Sequence, residues 1–362
     1  MKNRYNALQA PLFAAEALCL LGLAALLLCR PRAVCAGVAE GLRLCLTTLV
    51  GSLLPFLVLA RLALLRGLHV PLARRGSFLT RRALGLPGVC AAPVAMSLIG
   101  GYPVGAAMTA QLLAQRQITP RHAQRLLLFA VSPGPAFTVS AVGAGLLGSA
   151  RAGVVLWASV SLGALLCGVL TRPLLRREDD PGAVPQPPAV LPPAEALSRA
   201  AADGLQAMLL ICAFAALFSG LLGLLGALSL PQPVLQAAAA LLEVTNACGA
   251  LCGKVSLPVI AAVLGWGGVC VHCQIAPFLA GTGLPFWGFV CGRLLHAGLS
   301  FGVCRALLAV VPLPLGTMAG AQLRPAAGGN AALSVCMLAM CVLLLFPERI
   351  TLRRSGASCN SA

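Results

Sequence analysis

The chain has 362 residues, 59% of them hydrophobic and only 10% charged, with a mean hydropathy of +0.93. A soluble domain carries about 25% charged residues, so this chain cannot clothe a water-facing surface and takes lipid as its solvent. Its formal net charge of +17 is almost all arginine, since two of the 26 basic residues are lysine, and with 5% aromatic residues there is no base-stacking context to make nucleic acid a partner.

Uninterrupted apolar runs at 11–29, 44–65, 152–171, 201–225, 286–310 and 330–346 approach or exceed the ~20 residues that a bilayer core demands. The first follows Lys2 and Arg4 and precedes "RPRA", with no A-x-A-like cleavage site, so it reads as a transmembrane helix rather than a signal peptide. Residues 1–40 form that helix and an external connector that includes Gly37. Two halves follow, 41–172 and 200–347, separated by a cytoplasmic Pro-rich loop of mixed charge at 173–199 and ended by a basic disordered tail at 348–362.

Each half also contains interrupted apolar segments. In the first, 84–115 surrounds "GGYPVGA" and 123–149 contains "AVSPGPAF". In the second, 235–253 contains "LLEVTNACGA" and 256–280 contains "GWGGVCVHCQ". Irregular backbone at membrane depth survives only beside protein or a water-filled cavity. Gly101, Tyr102, Pro103 and Gly105 therefore predict a hairpin tip whose backbone can approach a ligand or a facing helix. Pro133 and Pro135 around Gly134 exclude a continuous helix, and Ser132 is placed to cap the half-helix that follows. Gly267 and Gly268 mark the matching break in the second half, with His272 and Gln274 as polar side chains that need protein or water around them. Paired discontinuous segments of this kind point to a transporter built from internal repeats.

Glu243 is the one acidic residue between Asp203 and Glu348, with Thr245 and Asn246 beside it in an apolar setting. It is a candidate for binding substrate, sodium or a proton, or for pairing with an arginine or with freed backbone amides. Arg293 and His296 share one face of a predicted helix. The sixteen cysteines mostly lie in apolar runs as small packing residues; Cys248/Cys252 and Cys270/Cys273 come nearest to ligand spacing, and no metal or cofactor is predicted.

If 84–115 and 235–253 are re-entrant hairpins, while 123–149 and 256–280 cross, the chain crosses eight times. An internal N-terminus then leaves 17 basic residues inside and 5 outside, the bias that topology requires. The first hairpin enters from inside and the second from outside, which gives the halves inverted topology.

"GGYPVGA", "SPGPAF", "LLEVTN" and "GWGGVCVHCQ", in this order, resemble the sporulation integral membrane protein YlbJ family, over roughly residues 40–310. The resemblance implies a nucleoside-recognition or gate domain, shared with relatives of concentrative nucleoside transporters. It also implies a multi-pass inner-membrane protein of endospore formers, in the mother-cell-derived forespore membrane, associated with passing dipicolinic acid to the forespore and with cortex and heat resistance. The chain departs from the family pattern at Ser132-Pro133-Gly134-Pro135, where a stretch closer to "SNSGP" is usual, and at Cys273, where a small residue is common.

The reading is an all-α polytopic membrane protein with about eight transmembrane crossings plus two re-entrant hairpins, arranged as a transporter-like inverted repeat. Its expected cargo is a small carboxylate, dipicolinate by resemblance, moved with a coupling ion, proton or sodium. A nucleoside-type solute is the alternative cargo, and a non-transporting membrane scaffold in spore assembly is the alternative class. No enzyme motif is present: H-E-x-x-H and G-x-S-x-G are absent, and no second carboxylate lies near Glu243.

Overall fold

The computed structural model describes residues 17, 18, 20–25, 27–174, 191–279, 285–311 and 313. All the regular structure among them is helical. The expected span 330–346, the tail 348–362 and most of the loop 173–199 lie outside the described residues, as do residues 11–16, 19 and 26 of the first expected span.

The two longest helices are α1, Pro31–Leu65, and α8, Pro193–Gly226. α1 begins well before the expected 44–65. Pro31 stands at its first turn, where a missing N–H is harmless, and Arg43 pairs with Glu40 one turn away at 2.6 Å. The connector expected to end at residue 40 is therefore helix from Pro31 onward, and Gly37 is not in an external loop. α1 and α8 run antiparallel: a Cβ on Gly37 would sit 2.3 Å from the Ser219 carbonyl oxygen, while one on Gly204 would sit 2.8 Å from Val58. Small residues at Gly37, Gly41, Gly220 and Gly223 let the two backbones touch. Near the other end Arg61 donates to Asp203 at 2.5 Å.

After α1 comes α2, His69–Leu79, which continues through Leu84 with wider π-type turns. Gly85, at φ +62°, ends it, and the chain bends by 107° into Gly88–Gly100. From here the same order of pieces occurs twice. The first set is a helical hairpin of α3, Ala91–Gly100, and α4, Tyr102–Ala114, then α5, Pro120–Phe129, a break, the π-type helix α6, Ala136–Leu146, and α7, Ala150–Leu170. The second is α9, Gln232–Leu242, and α10, Val244–Leu251, then α11, Leu257–Trp266, a break, α12, Gly268–Leu279, and α13, Phe286–Val310. The last helix of each set packs on the other: a Cβ on Gly163 of α7 would meet Ser300 of α13 at 2.8 Å.

By length and composition, five helices of the described residues can cross a membrane: α1, α7, α8, the α11–α12 pair and α13; the bent pair before α4 would make a sixth. These five match the expected runs 44–65, 152–171, 201–225, 256–280 and 286–310. The segment 123–149 has the break expected of it, two short helices on either side of Pro133 and Pro135, which cannot continue an α-helix, and neither helix alone is long enough to span.

Candidate functional site

The two hairpin tips and the two helix breaks meet at one centre. Gly101 joins α3 to α4 at φ +89°, ψ −176°, a conformation open only to glycine. Against it lies the first break: a Cβ on Gly134 would stand 2.9 Å from the Gly101 nitrogen and 2.7 Å from the Ile99 carbonyl oxygen. The second set repeats the contact, since a Cβ on Gly268 would stand 2.9 Å from the Leu242 carbonyl oxygen and 3.1 Å from the Glu243 nitrogen. Tyr102 ties the two together. Its hydroxyl donates to the Leu264 carbonyl at 2.7 Å, and its ring lies 3.4 Å from where a Cβ on Gly267 would be.

Each break leaves helix ends whose backbone groups have no helical partner. Arg293, fully buried in α13, supplies the donors for the carbonyl ends. It donates to the Val131 carbonyl after α5, to the Gly265 carbonyl, and to the Trp266 carbonyl at 3.3 Å. It also lies over the Tyr102 ring, 5.7 Å from the centroid. A cation at two helix C-termini complements their dipoles. Arg293 donates to His296 Nδ1 at 3.0 Å, which makes that nitrogen an acceptor; Nε2 then carries the proton and donates to the Val160 carbonyl at 2.8 Å.

Glu243 does the opposite work at an N-terminus. It caps α10, its carboxylate accepting from the Thr245 and Asn246 backbone N–H groups at 3.0 and 2.6 Å. The Asn246 amide donates to it at 2.8 Å and to Ser219 Oγ at 2.6 Å, while the Cys270 thiol donates at 3.7 Å. Of the functional and structural roles open to Glu243 from sequence, pairing with freed backbone amides is the one this geometry displays. Asn246 adds a link from the second hairpin tip to α8.

The remaining expected site residues divide. Pro103 and Gln274 line a cavity of about 810 Å³, together with Leu57, Arg61, Asp203 and Phe278. The cavity thus runs between the α1/α8 pair and the faces of α4 and α12. Gly105 does not face it: a Cβ there would lie 2.0 Å from the Ala130 carbonyl oxygen and 2.5 Å from Ser97, so its role is close helix contact. Ser132 does not cap α6. Its hydroxyl is buried without a partner, and Pro135 takes the capping position. His272 bonds the Gly268 carbonyl at 2.8 Å and stacks among Trp266 and Phe289, with ring centroids 4.3 and 5.2 Å away.

Arg61, Asp203 and Ser219 join the site without having been singled out, and Cys270, noted only for its spacing to Cys273, joins it as a donor to Glu243. The signal for the first two was present: one charge of each sign lies inside an otherwise apolar span, which in lipid demands a partner. The Arg293–His296 spacing was noted, but its orientation depends on carbonyls some 28 and 162 positions away.

No family model matches the chain, and no solved structure matches it. Among curated proteins, the sporulation integral membrane protein YlbJ of Bacillus subtilis (strain 168) is 28% identical over 315 residues, which cover 76% of this chain and 77% of that protein.

Proposed function

Because the chain is related to the YlbJ family of sporulation integral membrane proteins, we propose that it is a membrane transporter of a small carboxylate, dipicolinate, acting during endospore formation in the mother-cell-derived forespore membrane. The observation that carries this reading is the meeting of two hairpin tips with two helix breaks at one buried centre. Broken segments of this kind are how transporters expose backbone groups to a solute at membrane depth. The adjoining cavity of about 810 Å³ has the size of a small-molecule site, is mostly apolar, and offers Arg61, Gln111 and Gln274 as polar anchors. In this reading the two repeated sets insert with opposite orientation, their hairpins are re-entrant, and the solute moves with a proton or sodium ion. The protein carries no chemistry of its own.

The test is uptake into proteoliposomes holding the purified chain, with and without proton and sodium gradients. Dipicolinate should accumulate when one gradient is imposed, and substitution of Arg61 or Gln274 should weaken that accumulation. Uptake of nucleosides but not dipicolinate would move the cargo to the nucleoside class. No movement of either solute would leave a membrane scaffold in spore assembly as the function.

A further inference from the structure

A second cavity, of about 470 Å³, lies where the start of α5, the end of α7 and the start of α13 come together. Arg121, Gln124, Arg125, Thr171, Gly288 and Cys291 line it, and it shares no lining residue with the larger cavity. Arg125 is 2% exposed. One of its nitrogens, Nη2, donates to the Gly168 carbonyl at 2.7 Å. Nε and Nη1 are buried and have no hydrogen-bond partner. A buried guanidinium with two unmet donors is costly in an apolar setting, and among the described residues no acidic side chain lines the cavity. Gly288, Cys291 and Gly292 put the cavity beside the first turns of the 25-residue helix α13, close to the positive end of its dipole.

We propose that this pocket binds a phosphate-bearing anion, with Arg125 as its central ligand. Its two unmet donors, on Nε and Nη1, lie on either side of the engaged Nη2, and each can give a charge-assisted hydrogen bond to an anion oxygen. The cavity lies at the same helix ends as Arg121 and Arg172, and basic pockets between membrane helices are suited to anionic lipid headgroups. Free phosphate presents the same chemistry.

The test places the full chain in phosphatidylcholine nanodiscs and reads its thermal unfolding midpoint. In one arm inorganic phosphate is titrated in; in the other, phosphatidylglycerol replaces part of the phosphatidylcholine. At least one anion should raise the midpoint. An effect of phosphatidylglycerol alone identifies a headgroup site, and an effect of inorganic phosphate identifies a soluble ion. Arg125→Gln removes the charge. Gly288→Leu fills the pocket while leaving Arg125 in place, and a Cβ there would make only ordinary contacts, 3.5 Å from Gln124 Nε2 and 3.7 Å from Pro285. Each variant should weaken the apparent anion affinity at least about tenfold, the worth of one charge-assisted hydrogen bond. The proposal is overturned if neither anion moves the unsubstituted protein's midpoint, or if either folded variant keeps the effect. Should Arg125→Gln fail to fold, Gly288→Leu decides alone.

Discussion

Glu243 and Arg293 are opposite charges, each almost wholly buried, and each is held by helix ends rather than by the other. Burying an ion is expensive unless hydrogen bonds replace its water. For Glu243 the replacement is nearly complete, which sets the expectation for Glu243→Gln. A glutamine keeps the shape but turns one acceptor oxygen into a donor, facing either the Thr245 or the Asn246 N–H. The variant should lose about 1–3 kcal/mol of stability, the cost of an unmet buried donor. Gradient-driven uptake and solute counterflow should then fall together, in step with the amount of folded protein. Normal stability with selective loss of gradient-driven uptake would instead give the carboxylate a place in ion coupling. That Glu243 mattered was legible from its isolation among apolar residues. What it binds was not, because Ser219 and Cys270 reach it from other helices.

Among the elements, the α3–α4 hairpin is governed by two glycines for different reasons. Gly101→Ala places a side chain at positive φ in a region open only to glycine, which costs about 1–3 kcal/mol. Gly105→Ala drives a Cβ against a backbone carbonyl on α5, which cannot yield without moving that helix. We expect the first to give a folded but destabilised protein and the second to be the more damaging. Gly298→Ala, on α13 with nothing near its Cβ position, is the control and should be neutral or stabilising by about 1 kcal/mol. Thermal unfolding of the three in one detergent tests the order; a Gly105→Ala protein as stable as the control would refute the close-contact reading. The breaks themselves were legible, since Gly and Pro cluster where a helix cannot continue. Their mutual contacts were not, because Gly101 and Gly134, or Tyr102 and Leu264, are distant in sequence. The start of α1 was misread for a local reason: "RPRA" looks like a connector, yet Pro at the first turn begins a helix as readily as it ends one.

For the whole molecule, the proposed opposite insertion of the two repeated sets makes a labelling prediction. Cysteines introduced at Arg116 and Arg199 should be shielded from a membrane-impermeant reagent in intact cells, while those at Arg151 and Lys254 should react, because that topology puts most basic residues on the inner face. Labelling of Arg199→Cys from outside would undo both the topology and the inversion. The repeated order was legible from the spacing of interrupted segments, but the lengths of α1 and α8 were not. At 35 and 34 residues they run to about 50 Å, against a hydrocarbon core of about 30 Å, and their charged ends disguised the continuation.

Arg293 has a mechanical meaning as well as an electrostatic one. It holds the Val131 carbonyl of the first repeated set and the Gly265 and Trp266 carbonyls of the second with a single side chain. A rivet through both breaks forbids them from parting along the line between the sets. In the transporter reading proposed above, a displacement that carries solute would fall at another plane, the face where Pro103, Val104, Gln274 and Phe278 look across the large cavity to Leu57, Arg61 and Asp203. That reading leaves the Arg61–Asp203 ion pair on the α1/α8 side of the plane and Pro103 and Gln274 on the other.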